Sequence, residues 1–177
     1  MKDRAETFVS GEDVFRGRLL HVRRDLVRLP DGSQGAREYI RHPGAVMILA
    51  LFDDGRVLLE RQFRYPSGRD FVELPAGKCE KGEERLATAQ RELREETGYS
   101  ATAWERIGVI HPCIGYSDEA IEMYLARGLA KGSASLDAGE FLEVFTLPMA
   151  EAVEWVRDGR ITDAKTVSGL LWAKSFL

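Results

Sequence analysis

Apolar residues along the chain gather in short runs separated by Gly, Pro, Asp and Ser, and each run predicts an element. Ala45-Val46-Met47-Ile48-Leu49-Ala50-Leu51 is continuously apolar, which predicts a central strand buried on both faces. Asp53-Asp54-Gly55 predicts a hairpin turn, and residues 56–64 the next strand, ending at Tyr65-Pro66. Ahead of these, residues 14–22, 25–29 and 36–40 read as strands of a small antiparallel sheet, with a turn at Pro30-Asp31-Gly32-Ser33. That sheet has too few apolar residues for a core of its own, so it should pack on the main domain or on a partner subunit. Pro43-Gly44 marks the boundary, giving domains at 1–42 and 43–177.

Downstream, Phe71-Val72-Glu73-Leu74 is strand-like and passes through Pro75-Ala76-Gly77 into a loop. Residues 104–110 and 120–126 predict two strands joined by the loop 111–119, and residues 140–145 a further strand after the polar segment 131–139. Pro148 suits the first turn of a helix running to about Asp158. Thr162-Asp163 can cap a last helix carrying Val167, Leu170, Leu171 and Phe176. Strands bracketed by two or three helices make an α/β sandwich.

The stretch from Glu83 to Glu96 lacks Pro and Gly, is rich in helix formers, and stops at Gly98. Leu86, Ala89 and Leu93 give it an apolar stripe for docking. Glu92 and Glu96 then share a face, with Glu95 beside them. Carboxylates ~6 Å apart at an effective dielectric of about 20 repel by roughly 3 kcal/mol per pair before screening. They also sit toward the negative pole of the helix dipole. Such a cluster suits a hard, oxygen-preferring cation such as Mg²⁺ or Mn²⁺. The alternative is a solvated acidic face partly neutralised by Arg91 and Arg94.

With 44% hydrophobic and 31% charged residues, the 177-residue chain has an ordinary globular composition. A net charge of −4 gives no footprint for nucleic acid. No apolar run approaches the roughly 18 residues of a membrane span, and the first residues lack the apolar core of a signal peptide. Cys79 and Cys113 are too few for a disulfide framework or a zinc site, which makes a reducing cytoplasm the simplest assignment. His21, His42 and His111 show no metal-ligand spacing.

Gly77, Glu83 and the run Arg91-Glu92-Leu93-Arg94-Glu95-Glu96-Thr97-Gly98-Tyr99 resemble the box of the Nudix hydrolases, departing only at Tyr99. The resemblance implies a Nudix α/β/α sandwich with a mixed sheet, preceded by a small N-terminal antiparallel sheet used in dimerisation. It implies Glu92 and Glu96 as metal ligands, with Glu95 a ligand or close support and the backbone carbonyl of Ala76 a further candidate. Arg91 would orient the carboxylates. The segments Leu58 to Pro66, Glu73-Leu74-Pro75-Ala76-Gly77 and Gly115-Tyr116-Ser117-Asp118-Glu119 resemble the ADP-ribose pyrophosphatase branch. That branch implies a homodimer that hydrolyses a small nucleotide sugar with Mg²⁺, ADP-ribose giving AMP and ribose 5-phosphate. Arg61, Arg64 and Glu119 would contact the substrate.

Two departures from the branch stand out. Ile114 occupies the place of a Pro before the loop glycine, and Asp137-Ala138-Gly139-Glu140 puts Ala138 where the branch carries its base. The base is then Glu140, Asp137 or Glu95, of which Glu140 is preferred. The alternatives to ADP-ribose hydrolysis are GDP-mannose or another nucleotide sugar, and a non-catalytic ADP-ribose sensor. A sensor would have no reason to hold Glu92, Glu95 and Glu96 together.

Overall fold

A computed structural model describes residues 4–136, 139 and 141–177. The chain divides into two compact units, residues 1–43 with 113–120, and residues 44–112 with 121–177.

The first unit is built on a three-stranded antiparallel sheet in the order β1 (Thr7–Arg16), β2 (His21–Arg28), β3 (Gln34–Ile40). The first hairpin reverses at Gly17–Leu20, where the Gly17 amide donates to the Leu20 carbonyl at 2.8 Å. The apolar pattern placed residues 14–22 in one strand, but Leu19 and Leu20 lie in the turn and are exposed. Strand β1 therefore starts at Thr7. The second turn falls at the expected place, with Gly32 at φ 87° and Leu29 N donating to Ser33 O at 2.8 Å. Asp25, nearly buried, accepts from Arg23 at 3.0 Å and from the Tyr39 hydroxyl at 2.9 Å. Every residue of β1 is exposed, among them Phe8, Val14 and Phe15. The loop 113–120 belongs to this unit. Ile40 N donates to Tyr116 O at 2.9 Å, Asp118 N donates to Ile40 O at 3.2 Å, and Arg41 pairs with Asp118 at 3.1 Å.

The second unit holds two sheets. One runs β7 (Ala76–Lys78), β4 (Ala45–Ala50), β9 (Ile121–Lys131), β8 (Tyr99–Ile110); the other runs β10 (Leu142–Pro148), β5 (Arg56–Arg64), β6 (Arg69–Glu73). Strands β4 and β9 are parallel and the remaining pairs antiparallel, so the first sheet is mixed. Every residue of β4 is buried, as its apolar run predicts. Its alternation splits the core in two. Met47 and Leu49 pack with Leu59, Leu125 and residues of α2 (Met149–Arg157) and α3 (Ala164–Phe176). Val46 and Ile48 pack with Leu58, Tyr124 and the Ala89 and Leu93 of α1 (Arg85–Thr97). Helices thus cover both faces, giving the α/β/α arrangement.

The turn at Gly55 (φ 81°) forms, but β4 and β5 do not make a hairpin ladder. A single bridge, Leu51↔Val57, joins them before they diverge into different sheets. Strand β9 runs on to Lys131 through Gly128 (φ 65°), because Tyr99 to Ala103 of β8 supply it with partners that local polarity does not reveal. Asp163 caps α3 as expected, accepting from Thr166 N at 3.0 Å.

Candidate active site

Strand β7 and helix α1 bring the carboxylates together. Ala76 and Gly77 are held in register with Met47 and Val46 of β4. The loop to α1 is pinned where Cys79 N donates to Gly44 O at 3.1 Å, and Glu80 N donates to Glu83 Oε2 at 3.2 Å. Buried Ala89 and Leu93 seat the helix, and Gly98 ends it at φ 74° with its amide donating to Arg94 O at 2.9 Å.

Two contacts tie the helix carboxylates to β7. Glu96, buried, accepts from the Ala76 amide at 3.1 Å. The Glu92 carboxylate lies directly on the Cα of Gly77, where a Cβ would stand 1.9 Å from Glu92 Cδ. Any larger residue would push the Glu92 carboxylate off this seat.

Arg91 organises the rest. Its Nε and Nη2 donate to Glu83 at 2.9 and 3.0 Å, and its Nη1 donates to both Glu92 and Glu95 at 2.9 Å. Thr88 also donates to Glu83, at 2.8 Å. The Arg91 hydrogen bonds, with those from Thr88 and the Glu80 amide, outweigh partial desolvation and draw the Glu83 pKa from 4.5 down to about 2. Arg91 is held further above its ordinary range, chiefly by Glu83 against desolvation. Among the described residues, no three Asp, Glu, His or Cys side chains converge as a ready metal site. The carboxylates here are turned onto Arg91 and the Ala76 amide, so a cation would draw them into a new arrangement.

Residues 41–168 match the NUDIX domain, and residues 6–40 match the nucleoside diphosphate sugar hydrolase N-terminal domain. The chain belongs to the Nudix family. It is a Nudix hydrolase, and residues 77–99 are its Nudix box. It is 40% identical over 164 residues to the methanol dehydrogenase activator of Bacillus methanolicus, spanning 92% of this chain and 89% of that protein. It is equally 40% identical over 168 residues to the ADP-ribose pyrophosphatase of Bacillus subtilis (strain 168), spanning 94% and 91%. A crystal structure of an ADP compounds hydrolase matches with a TM-score of 0.87 at 25% identity, covering 97% of this chain and 94% of that one.

Arg61 and Arg64 are an odd number of positions apart on β5, so they face opposite sides of its sheet. Arg61 binds Glu143 at 2.7 Å and lies over the Phe145 ring, 5.5 Å from its centroid. Arg64 grips Glu73 of β6 with Nε and Nη2, both at 2.7 Å. It shares its face with Leu58, which packs in the same cluster as Ala89 and Leu93 of α1. Glu119 belongs to the first unit, with its amide bonded to Ser117 Oγ at 3.2 Å and its carboxylate 3.7 Å from His42 Nε2. Glu140, Asp137 and Ala138 lie outside the described residues. Two features escaped the sequence reading: the close packing of Glu92 on Gly77, and the role of Glu73 as the partner of Arg64. The fixed glycine of the box was a visible signal for the first; the second had none.

Proposed function

We propose that this Nudix hydrolase cleaves the diphosphate of a nucleoside diphosphate sugar with Mg²⁺, Mn²⁺ serving as the alternative, and that ADP-ribose is its substrate. The products are AMP and ribose 5-phosphate. The observation that carries this reading is the seating of Glu92 on Gly77 beside Glu96 on the Ala76 amide. It aligns carboxylates of one helix with the backbone of a neighbouring strand. The donor set is all oxygen, which fits a hard divalent cation.

Glu92, Glu96, Glu95 and the Ala76 carbonyl would hold the metal. When bound, it supplies neutralisation of the diphosphate and acidification of water. Arg91 orients Glu92 and Glu95, donating to each at 2.9 Å. Arg64 offers its remaining guanidinium donors to the nucleotide or the diphosphate, Arg61 serves a second contact, and Glu119 binds the terminal sugar. Glu140 takes the proton from the attacking water as general base. The fully exposed β1, with Phe8, Val14 and Phe15, supports a homodimer formed through the N-terminal sheet.

The test is product analysis with Mg²⁺ across ADP-ribose, ADP-glucose, GDP-mannose and NADH, beside an E96Q control. AMP released preferentially from ADP-ribose, and lost in E96Q, is expected. A preference for GDP-mannose would instead make Ile114 and Ala138 specificity changes. Turnover of none of the four would count against catalysis and for a binding protein. Size-exclusion chromatography with light scattering should give the mass of two chains; a single-chain mass overturns the dimer.

A further inference from the structure

Arg64 lines a pocket of about 310 Å³ together with Ser67, Phe71, Glu73, Asp163 and Lys165. The last two come from the start of α3, far along the chain and outside the Nudix box. The side chain of Glu73 is only 3% exposed and that of Lys165 13%, whereas Arg64 keeps 43% of its side chain open. The Lys165 ammonium bonds to Glu73 Oε2, the oxygen that also accepts from Arg64 Nη2. Lys165 is itself fixed by Asp163 Oδ2 at 3.0 Å. That same oxygen accepts from the Thr166 amide at 3.0 Å and hydroxyl at 2.6 Å. Thr166 Oγ1 in turn accepts from the Leu74 amide at 2.8 Å. The ring closes one residue after Glu73, and two residues before Ala76.

We infer that Lys165 is a positioning residue for substrate binding, acting through Glu73 to hold the Arg64 guanidinium at the pocket mouth. The inference rests on the reading of Arg64 as a substrate contact. A buried carboxylate gripped from one side by a mobile arginine would follow that arginine. Gripped from the other side by a lysine anchored on a helix cap, it becomes a fixed post. Arg64 then needs to spend little conformational freedom when an anionic group of the substrate arrives. The geometry also explains why two cations converge on one carboxylate: Glu73 is the shared post, Lys165 commits two of its three donors to Glu73 and Asp163, and the more exposed Arg64 keeps the larger set of donors for the pocket.

Steady-state kinetics of the full chain with ADP-ribose and Mg²⁺ test this. The set is wild type, K165M, K165Q, K165R, R64Q and the K165M/R64Q double variant, assayed below their melting temperatures. K165M and K165Q should each raise KM roughly 10-fold, the equivalent of one lost ionic contact, with kcat held within about threefold. K165R should recover most of the loss. In the double variant KM should be no higher than in R64Q alone.

A wild-type KM in K165M or K165Q while R64Q is impaired overturns the inference and leaves Arg64 standing. So does a KM penalty that multiplies with that of R64Q. An R64Q enzyme with wild-type KM overturns the reading of Arg64 itself. If K165M does not fold, K165Q and K165R carry the same comparison.

Discussion

Two networks of charged side chains in the same unit are built to opposite rules. In the Nudix box, one guanidinium, Arg91, is shared among Glu83, Glu92 and Glu95, with Glu96 close behind on the Ala76 amide. At the head of α3, Arg64 and Lys165 meet Glu73 and Asp163, two cations against two carboxylates. The first sets one cation against four carboxylates, whereas in the second each paired carboxylate has a cation directly on it, with buried Glu60 across the ladder from Glu73. A network whose carboxylates are each gripped by a cation is complete in the apoprotein, so removing one member strands the buried charge of another. A negatively weighted one relaxes when a carboxylate is neutralised, and is completed by a cation from outside. On the proposed reading, the difference separates a site that holds a cation from a frame that holds a side chain.

Swapping a carboxylate for its amide in each network breaks the comparison most sharply. E96Q should lower kcat by about 10³-fold with Mg²⁺, since a donor for the cation is lost. Its melting temperature should stay level or rise, because charge crowding is relieved. E73Q should do the reverse to stability, costing about 3 kcal/mol by urea unfolding as both Lys165 and Arg64 lose the carboxylate they share. If both variants changed stability alike, the distinction between the networks would fail.

A smaller effect is expected from G77A. Its Cβ has no room beside Glu92, so the carboxylate must move, and activity should fall about 10- to 100-fold while metal can still bind weakly. Activity within twofold of wild type would show that Glu92 need not sit there.

The smallest effect concerns acid. Glu83 has a folded pKa of about 2 against an ordinary 4.5. A depressed carboxylate pKa contributes stability that is fully present above the unfolded value and lost as pH falls through the folded one. Stability should therefore drop between about pH 4.5 and 2, and R91Q, which removes the chief cause, should flatten that limb. An unchanged acid limb in R91Q would assign the shift to other groups.

What the sequence made legible follows from how local each signal is. The box helix, its Gly98 stop and the Asp163 cap depend on neighbours a few positions away, and all three form where the pattern put them. The buried β4 was equally plain from composition alone. The β1–β2 turn was misplaced because Leu19 and Leu20 look like strand residues and are exposed turn residues. The extension of β9 to Lys131 and the pairing of loop 113–120 with β3 depend on partners distant in sequence. In the site, the clustering of the three helix glutamates was readable from spacing, and the orienting role of Arg91 came from the resemblance to the Nudix box. Lys165 was not, because nothing local marks a lysine two residues past a helix cap as the partner of a strand carboxylate.

Manganese titration followed by electron paramagnetic resonance tests the central claim most directly, on wild type, E96Q and E73Q. The account predicts Mn²⁺ binding in wild type, weakened at least about 10-fold in E96Q and unchanged in folded E73Q. Equal affinity in wild type and E96Q, or equal weakening in both variants, would contradict it.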